Sequence, residues 1–162
     1  MIITRHNPNG TTSNKPRMIV IHAMAEYVLA DNGKSYEHAP DFLERMGLSA
    51  HVLAAPDGTL YRCRDDLEGA YHARGFNVDS LGIEVLLHGQ HDYGTFIAGI
   101  ARPFWCIGPQ YMAVVQQVRE WMKLHGITEV VRHSDLSPGR KLDPGMGFPW
   151  VKFLYDIRRD EK

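Results

Sequence analysis

Cysteine is scarce in this sequence. Cys63 and Cys106 are the only two, and neither sits in a CxxC unit. That excludes a disulfide framework, and each reads as a small buried hydrophobe. Long apolar runs are also missing, and the first residues lack a basic segment followed by an apolar core. The reading therefore predicts no integral membrane segment and no signal peptide. Charge of one sign is not in excess: 18 Lys and Arg stand against 19 Asp and Glu, a net charge of -1. Composition thus gives no case for nucleic-acid binding. Neither HExxH nor GxSxG occurs, so the short signatures of a helical zinc protease and of a serine hydrolase elbow are both absent. No internal repeat or linker divides the chain. What remains is 162 residues, 44% of them apolar, enough for one domain, residues 1–162, with a real core.

Residues 1–17 are polar, with Pro, Asn and Gly, and read as an extended lead-in lying across the domain. Met18 to Ile21 is a short β-branched run, a central strand ending in His22 at a sheet edge. Residues 24–36 read as a loop or irregular helical segment. Ala39 to Gly47 fits a short helix, with Pro40 at its first turn and Gly47 as its stop. Ala50–Ala54 and Thr59–Cys63 flank Pro56-Asp57-Gly58 and predict a β-hairpin. Arg64 to Asn77 reads as loop. Ser80 to Leu87 is a further core strand that carries Glu84, a carboxylate needing a partner, a proton or a cleft. His88 to Pro109 reads as a long connection forming a groove wall, in which Phe104 and Trp105 either stack on a ligand or pack on the core. Tyr111 to His125 is an amphipathic helix, with Gly126 ending it and His125 as a C-terminal cap. Thr128 to Val131 is a short strand, and Pro149 to Ile157 a last helix with Trp150, Phe153, Leu154 and Ile157 on one face. Strands interleaved with helices favour an α/β layered domain.

The chemistry concentrates in Arg132-His-Ser-Asp-Leu-Ser-Pro-Gly-Arg-Lys-Leu-Asp-Pro-Gly145. Pro138, Gly139, Pro144 and Gly145 can hold a turn that returns Asp143 toward His133. With His22 they make a two-His, one-carboxylate set suited to Zn²⁺, leaving one tetrahedral position for water. Ser134 and Asp135 compete for roles, and Asp135 serves equally as a turn cap or as an orienting carboxylate. His22 alone reads equally as a structural histidine. Glu84 fits a general base, and Lys141 either opposes a developing oxyanion or is surface charge.

Five ordered motifs carry a resemblance: Met18-Ile-Val-Ile-His22, Ser49-Ala-His51 with Asp57-Gly-Thr59, Tyr71-His-Ala73, Ser80-Leu-Gly-Ile-Glu84, and His133 through Gly145. Together the chain resembles the zinc-dependent N-acetylmuramoyl-L-alanine amidases of the type 2 family, which also includes peptidoglycan-recognition proteins and small phage lysins. The resemblance implies a mixed central β-sheet flanked by α-helices, with one zinc ion in an open groove. It implies His22, His133 and Asp143 as ligands, with Glu84 and Lys141 as catalytic groups. It further implies Tyr71 and His72 along the substrate groove, and His51 orienting the site or packing beneath it. Some relatives carry a catalytic tyrosine where this chain has Ala50, so the resemblance is to the branch relying on Glu84. Tyr71 stands where tryptophan is commoner.

The implied reaction is hydrolysis of the amide between N-acetylmuramic acid and L-alanine, by a monomer acting on peptidoglycan or soluble muropeptides. The setting this suggests is a bacteriolytic endolysin, made in the cytoplasm and reaching the wall after membrane disruption. A cytoplasmic muropeptide-recycling enzyme is the alternative. A non-catalytic recognition module and a zinc hydrolase of another amide are weaker rivals.

Overall fold

A computed structural model describes residues 1–26 and 39–159. The elements in chain order are β1 (Ile2–Thr4), β2 (Gly10–Thr11), β3 (Met18–Glu26), α1 (Ala39–Arg45), β4 (Val52–Ala54), β5 (Leu60–Arg62), β6 (Gly69–Ala70), β7 (Ser80–Gln90), α2 (Tyr93–Ala101), α3 (Gly108–His125), β8 (Glu129–Arg132), α4 (His133–Leu136) and α5 (Trp150–Arg158). Six strands form one sheet in the order β1-β5-β4-β7-β3-β8. The β4–β5 hairpin is antiparallel, while β3 runs parallel to both β7 and β8, and β4 parallel to β7. This is a mixed α/β fold: the element pattern predicts the α/β layering and the resemblance implies the mixed sheet.

The two central strands explain how a carboxylate sits in an apolar run. On β7, Leu81, Ile83 and Val85 join Ile19 and Ile21 of β3 in the main core, beneath Val114, Val118 and Trp121 of α3 and Phe153 and Ile157 of α5. The alternate positions, Ser80, Gly82, Glu84 and His22, face the other way, because successive strand side chains point to opposite faces. A second cluster on that side joins Met24, Leu86, Leu53 and Ala50 to Leu43 of α1. The core helix α3 is pinned by buried Gln110, whose Nε2 donates to Ala54 O and Leu86 O.

Several expectations need correction. His22 does not end its strand at a sheet edge: β3 continues to Glu26 and lies between β7 and β8. The loop expected over 24–36 gives way to strand through Glu26, and its remainder from 27 on lies outside the described residues. The lead-in holds two short strands, with β1 pairing β5 and β2 pairing β6 inside the segment expected to be loop. The long connection contains α2, whose N-cap Asp92 accepts from Thr95 N at 2.8 Å. Trp105 packs on the core and donates to Pro144 O, whereas Phe104 is exposed. His125 lies in the last turn of α3, but its Nε2 engages Asp66 Oδ2 at 2.9 Å and Gly126 provides the left-handed cap. Cys63 and Cys106 are buried, and burial pushes both thiols up to about 12.

Candidate active site

Strand register assembles the site. His22 on β3 lies directly across from Glu84 on β7. On the opposite side, Ile21 pairs with Arg132 of β8, so the following residue, His133, comes level with His22. His133 opens the four-residue helix α4 and is buried. The loop after it closes on itself: Ser134 N donates to Asp143 O at 3.0 Å, and Lys141 N to Ser137 O at 3.0 Å. Gly139 and Gly145 adopt positive φ of 76° and 85°, conformations that glycine takes without a Cβ clash. Asp135 accepts from the backbone and guanidinium of Arg132; it caps α4 and is exposed.

Three donor atoms converge. His22 Nδ1 and His133 Nδ1 are 2.9 Å apart, His133 Nδ1 and Asp143 Oδ2 3.0 Å, and His22 Nδ1 and Asp143 Oδ2 3.3 Å. All three residues are buried and form a group able to hold a metal ion. Donors about 2.0–2.2 Å from a tetrahedral zinc ion lie roughly 3.3–3.5 Å from one another, so this triangle is close to the required size. Its donor chemistry also fits, since two imidazole nitrogens and a carboxylate oxygen suit that ion. Lone pairs crowded this closely repel unless a proton or cation lies among them.

Electrostatics single out two carboxyls with opposite behaviour. Glu84 is buried and is pushed up to about 8, first by desolvation and then by Asp143, with Lys141 opposing. Its Oε1 lies 3.9 Å from His22 Nδ1, and Oε2 has no hydrogen-bond partner among the described residues. Asp143 responds the other way: burial would raise it, but the imidazoles of His133 and His22 set against its carboxylate hold it well below the ordinary range. Burial lowers His22, against the pull of Asp143. Lys141 is half-buried on the wall of the same groove.

The groove, about 580 Å³, is open on one side. His22, Glu84, His133, Lys141 and Asp143 line one part, and Phe42, Met46 and Ile97 contribute apolar surface. Tyr71 and His72 both border it. Tyr71 is held from behind, its N donating to Ser49 Oγ and its carbonyl accepting from Ser49 N. His72 lies deeper than a wall residue, half-buried, with its Nδ1 2.9 Å from His22 Nε2. A Cβ on Gly82 would fall 2.4 Å from that ring, which is why glycine precedes Ile83-Glu84. Ala50 belongs to the second apolar cluster.

His51 packs beneath the site, fully buried. Its Nδ1 accepts from Gly82 N at 3.0 Å and its Nε2 donates to Glu68 O at 2.9 Å. Burial lowers it from 6.5 to about 4, so the folded state favours its neutral form. That contribution to stability is full above the unfolded value near 6.5 and is lost as pH falls toward 4. We expect His51 to cost the protein about 2 kcal/mol between pH 7 and 4.5. Urea unfolding at both pH values should show a flatter pH dependence in His51→Gln; an unchanged slope would refute this.

Fold and site together define an α/β protein with a candidate mononuclear metal centre in an open groove. The chain belongs to the N-acetylmuramoyl-L-alanine amidase family, type 2, whose family model matches residues 12–146. Among curated proteins it is 29% identical over 130 residues to the 1,6-anhydro-N-acetylmuramyl-L-alanine amidase AmpD of Haemophilus influenzae, an alignment covering 74% of this chain and 65% of that protein. The chain therefore spans just under two thirds of that relative. Its fold resembles the N-acetylmuramoyl-L-alanine amidase LysC from Clostridium intestinale, with a TM-score of 0.73, 21% identity and 99% of each chain covered. It also resembles AmpDh3 of Pseudomonas aeruginosa, solved in complex with anhydromuramic pentapeptide, with a TM-score of 0.67, 24% identity, and 89% of this chain and 60% of that one covered. Among the described residues no helix is long and apolar enough to cross a membrane.

Proposed function

We propose that the chain is a zinc-dependent amidase, with residues 1–162 forming one catalytic domain that acts as a monomer. It cleaves the bond between the lactyl group of N-acetylmuramic acid and L-alanine in peptidoglycan. The observation that carries this reading is the convergence of His22, His133 and Asp143 with Glu84 in register beside them, within a chain of the amidase family.

When bound, the zinc ion polarises the amide carbonyl and makes water acidic near neutral pH. The remaining steps belong to the chain's own residues. Glu84 takes a proton from the attacking water at its carboxylate and returns it to the departing L-alanine nitrogen. Its burial in the strand fixes its approach to the groove. Lys141 holds its ammonium charge toward the carbonyl oxygen as negative charge develops there. Tyr71 presents an aromatic edge to the substrate along the groove wall.

Intact sacculi digested with and without chelator provide the test. Mass spectrometry should find free stem peptides beginning in L-alanine only when metal is present. The same products from chelated protein would overturn the metal requirement.

The endolysin reading fits the likeness in fold to the endolysin amidase LysCS of Clostridium intestinale, over 99% of this chain; on that reading the protein reaches the wall after membrane disruption. The similarity to the Haemophilus protein favours a second reading, action on soluble anhydro-muropeptides. Faster release from intact sacculi supports the first, and faster release from anhydro-muropeptides the second.

A further inference from the structure

The proposed ligand His22 has two ring nitrogens, and only one that lacks a proton can bind a metal. A run of hydrogen bonds behind it decides which one that is. It begins at a backbone carbonyl, Phe76 O, which can only accept. Ser80 Oγ lies 2.5 Å from it and must donate its hydrogen there. The same Oγ lies 3.1 Å from His72 Nε2. Having spent its hydrogen, the hydroxyl offers a lone pair, so His72 Nε2 carries the N–H. In a neutral imidazole the other nitrogen is then an acceptor. His72 Nδ1 is therefore a lone pair, and it lies 2.9 Å from His22 Nε2. That nitrogen must donate, which leaves His22 Nδ1 bare and facing His133 and Asp143.

We infer that His72 and Ser80 are positioning residues that lock His22 into its metal-binding tautomer through the line Phe76 O, Ser80 Oγ, His72, His22 Nε2. The inference rests on the assignment of His22 as a ligand and adds to it a role for two residues that do not touch the metal-facing atoms. The line is held at several points. His72 N and Ala73 N both donate to Asn77 Oδ1, at 3.1 and 2.9 Å, shaping the turn that carries the ring. The ring lies against Gly82, where any Cβ would displace it. Its edge meets that of His22, with ring planes 79° apart. The motifs Tyr71-His-Ala73 and Ser80-Leu-Gly-Ile-Glu84 are thereby joined: each supplies part of one hydrogen-bonded line. Hydrogen-bond partners that orient a ligand imidazole typically change metal affinity by about 10–100-fold when removed.

The experiment compares wild type, His72→Phe, His72→Asn and Ser80→Ala. Zinc affinity is measured by competition with a chromophoric chelator, and ring tautomers of the metal-free proteins by nitrogen-15 NMR at neutral pH. Wild type should show His22 protonated at Nε2. Phenylalanine keeps the ring but offers no acceptor, so His72→Phe should weaken zinc binding about 10–100-fold and lose the single tautomer. Asparagine places an oxygen near the position of Nδ1, so His72→Asn should recover most of that affinity. Ser80→Ala, which alters only the far end of the line, should weaken binding and populate both tautomers of His72. If His72→Phe keeps wild-type affinity and tautomer, or if His72→Asn loses as much as His72→Phe, the ring is packing only and the inference fails. Should His72→Phe not fold, Ser80→Ala decides the matter alone: unchanged tautomers there overturn it. Wild type that binds no zinc would instead refute the ligand assignment, and the metal-free tautomers would still test the line.

Discussion

Glu84→Gln should bind one equivalent of zinc and lose turnover by a factor on the order of 10²–10⁴, the range that a positioned proton-transfer group contributes. The carboxyl is not among the converging donors, since its nearer oxygen stands 3.9 Å from His22 Nδ1. Removing its acidity therefore leaves the donor triangle intact. It is nevertheless held at the triangle by strand pairing, and burial together with Asp143 pushes it up to about 8. A carboxyl poised near neutral pH can both accept and return a proton, and a divalent cation beside it draws it back toward ionisation. The glutamine side chain matches its shape and can do neither. Metal analysis and muropeptide release, measured on the same preparation, provide the check. Full zinc with wild-type turnover would remove Glu84 from the reaction.

His22→Ala should lose the metal itself, and activity with it. His22, His133 and Asp143 supply one donor each, so removing one leaves two and opens a cavity in a fully buried position. The effect also reaches stability. A ligand held only by the folded state adds about 4 kcal/mol when its free concentration is 1,000 times its dissociation constant. For a chain of this size that corresponds to a melting-temperature shift on the order of 10 °C. Chelator should lower the melting temperature of wild type by such an amount and leave that of His22→Ala unmoved. If His22→Ala binds zinc as tightly as wild type, the ligand assignment is wrong.

Parts of this architecture were legible in the residues because the signals are local. Asp57-Gly58 between two short apolar runs announced the β4–β5 hairpin, and the spacing of Val114, Val118 and Trp121 announced α3. Helix α2 was hidden because Tyr93 to Ala101 contains Gly94 and Gly99 and carries no charge, and glycine weakens a helix reading. Tertiary packing outweighs that propensity: a Cβ on Gly99 would meet the Leu87 side chain of β7 at 2.5 Å, so the glycine leaves room for that side chain. Asp92, three residues before Thr95, was the one signal for the helix start. The continuation of β3 past His22 was masked by Ala23, Met24 and Ala25, which lack the β-branched bias of Ile19 to Ile21. The second role of His125 was hidden because its partner, Asp66, lies 59 positions away, a distance no local pattern spans. At the site, residue types and order brought His22, His133 and Asp143 forward as one group, which the fold gathers. The place of His72 behind His22 depends on a turn shaped by Asn77 and on the missing Cβ of Gly82, neither of which is visible as a pattern.

His22, Glu84 and His133 are borne on or just beyond three neighbouring strands, β3, β7 and β8, all running the same way. Side chains alternate between faces along a strand, so a frame error of one residue inverts them. Deleting a single residue early in β7 would swing the carboxyl into the oily layer under α3 and expose Ile83 or Val85 to the cleft. The proposed catalytic alignment and burial of the interior are thus tied to the same pairing, and a chain that misaligns these strands forfeits both together.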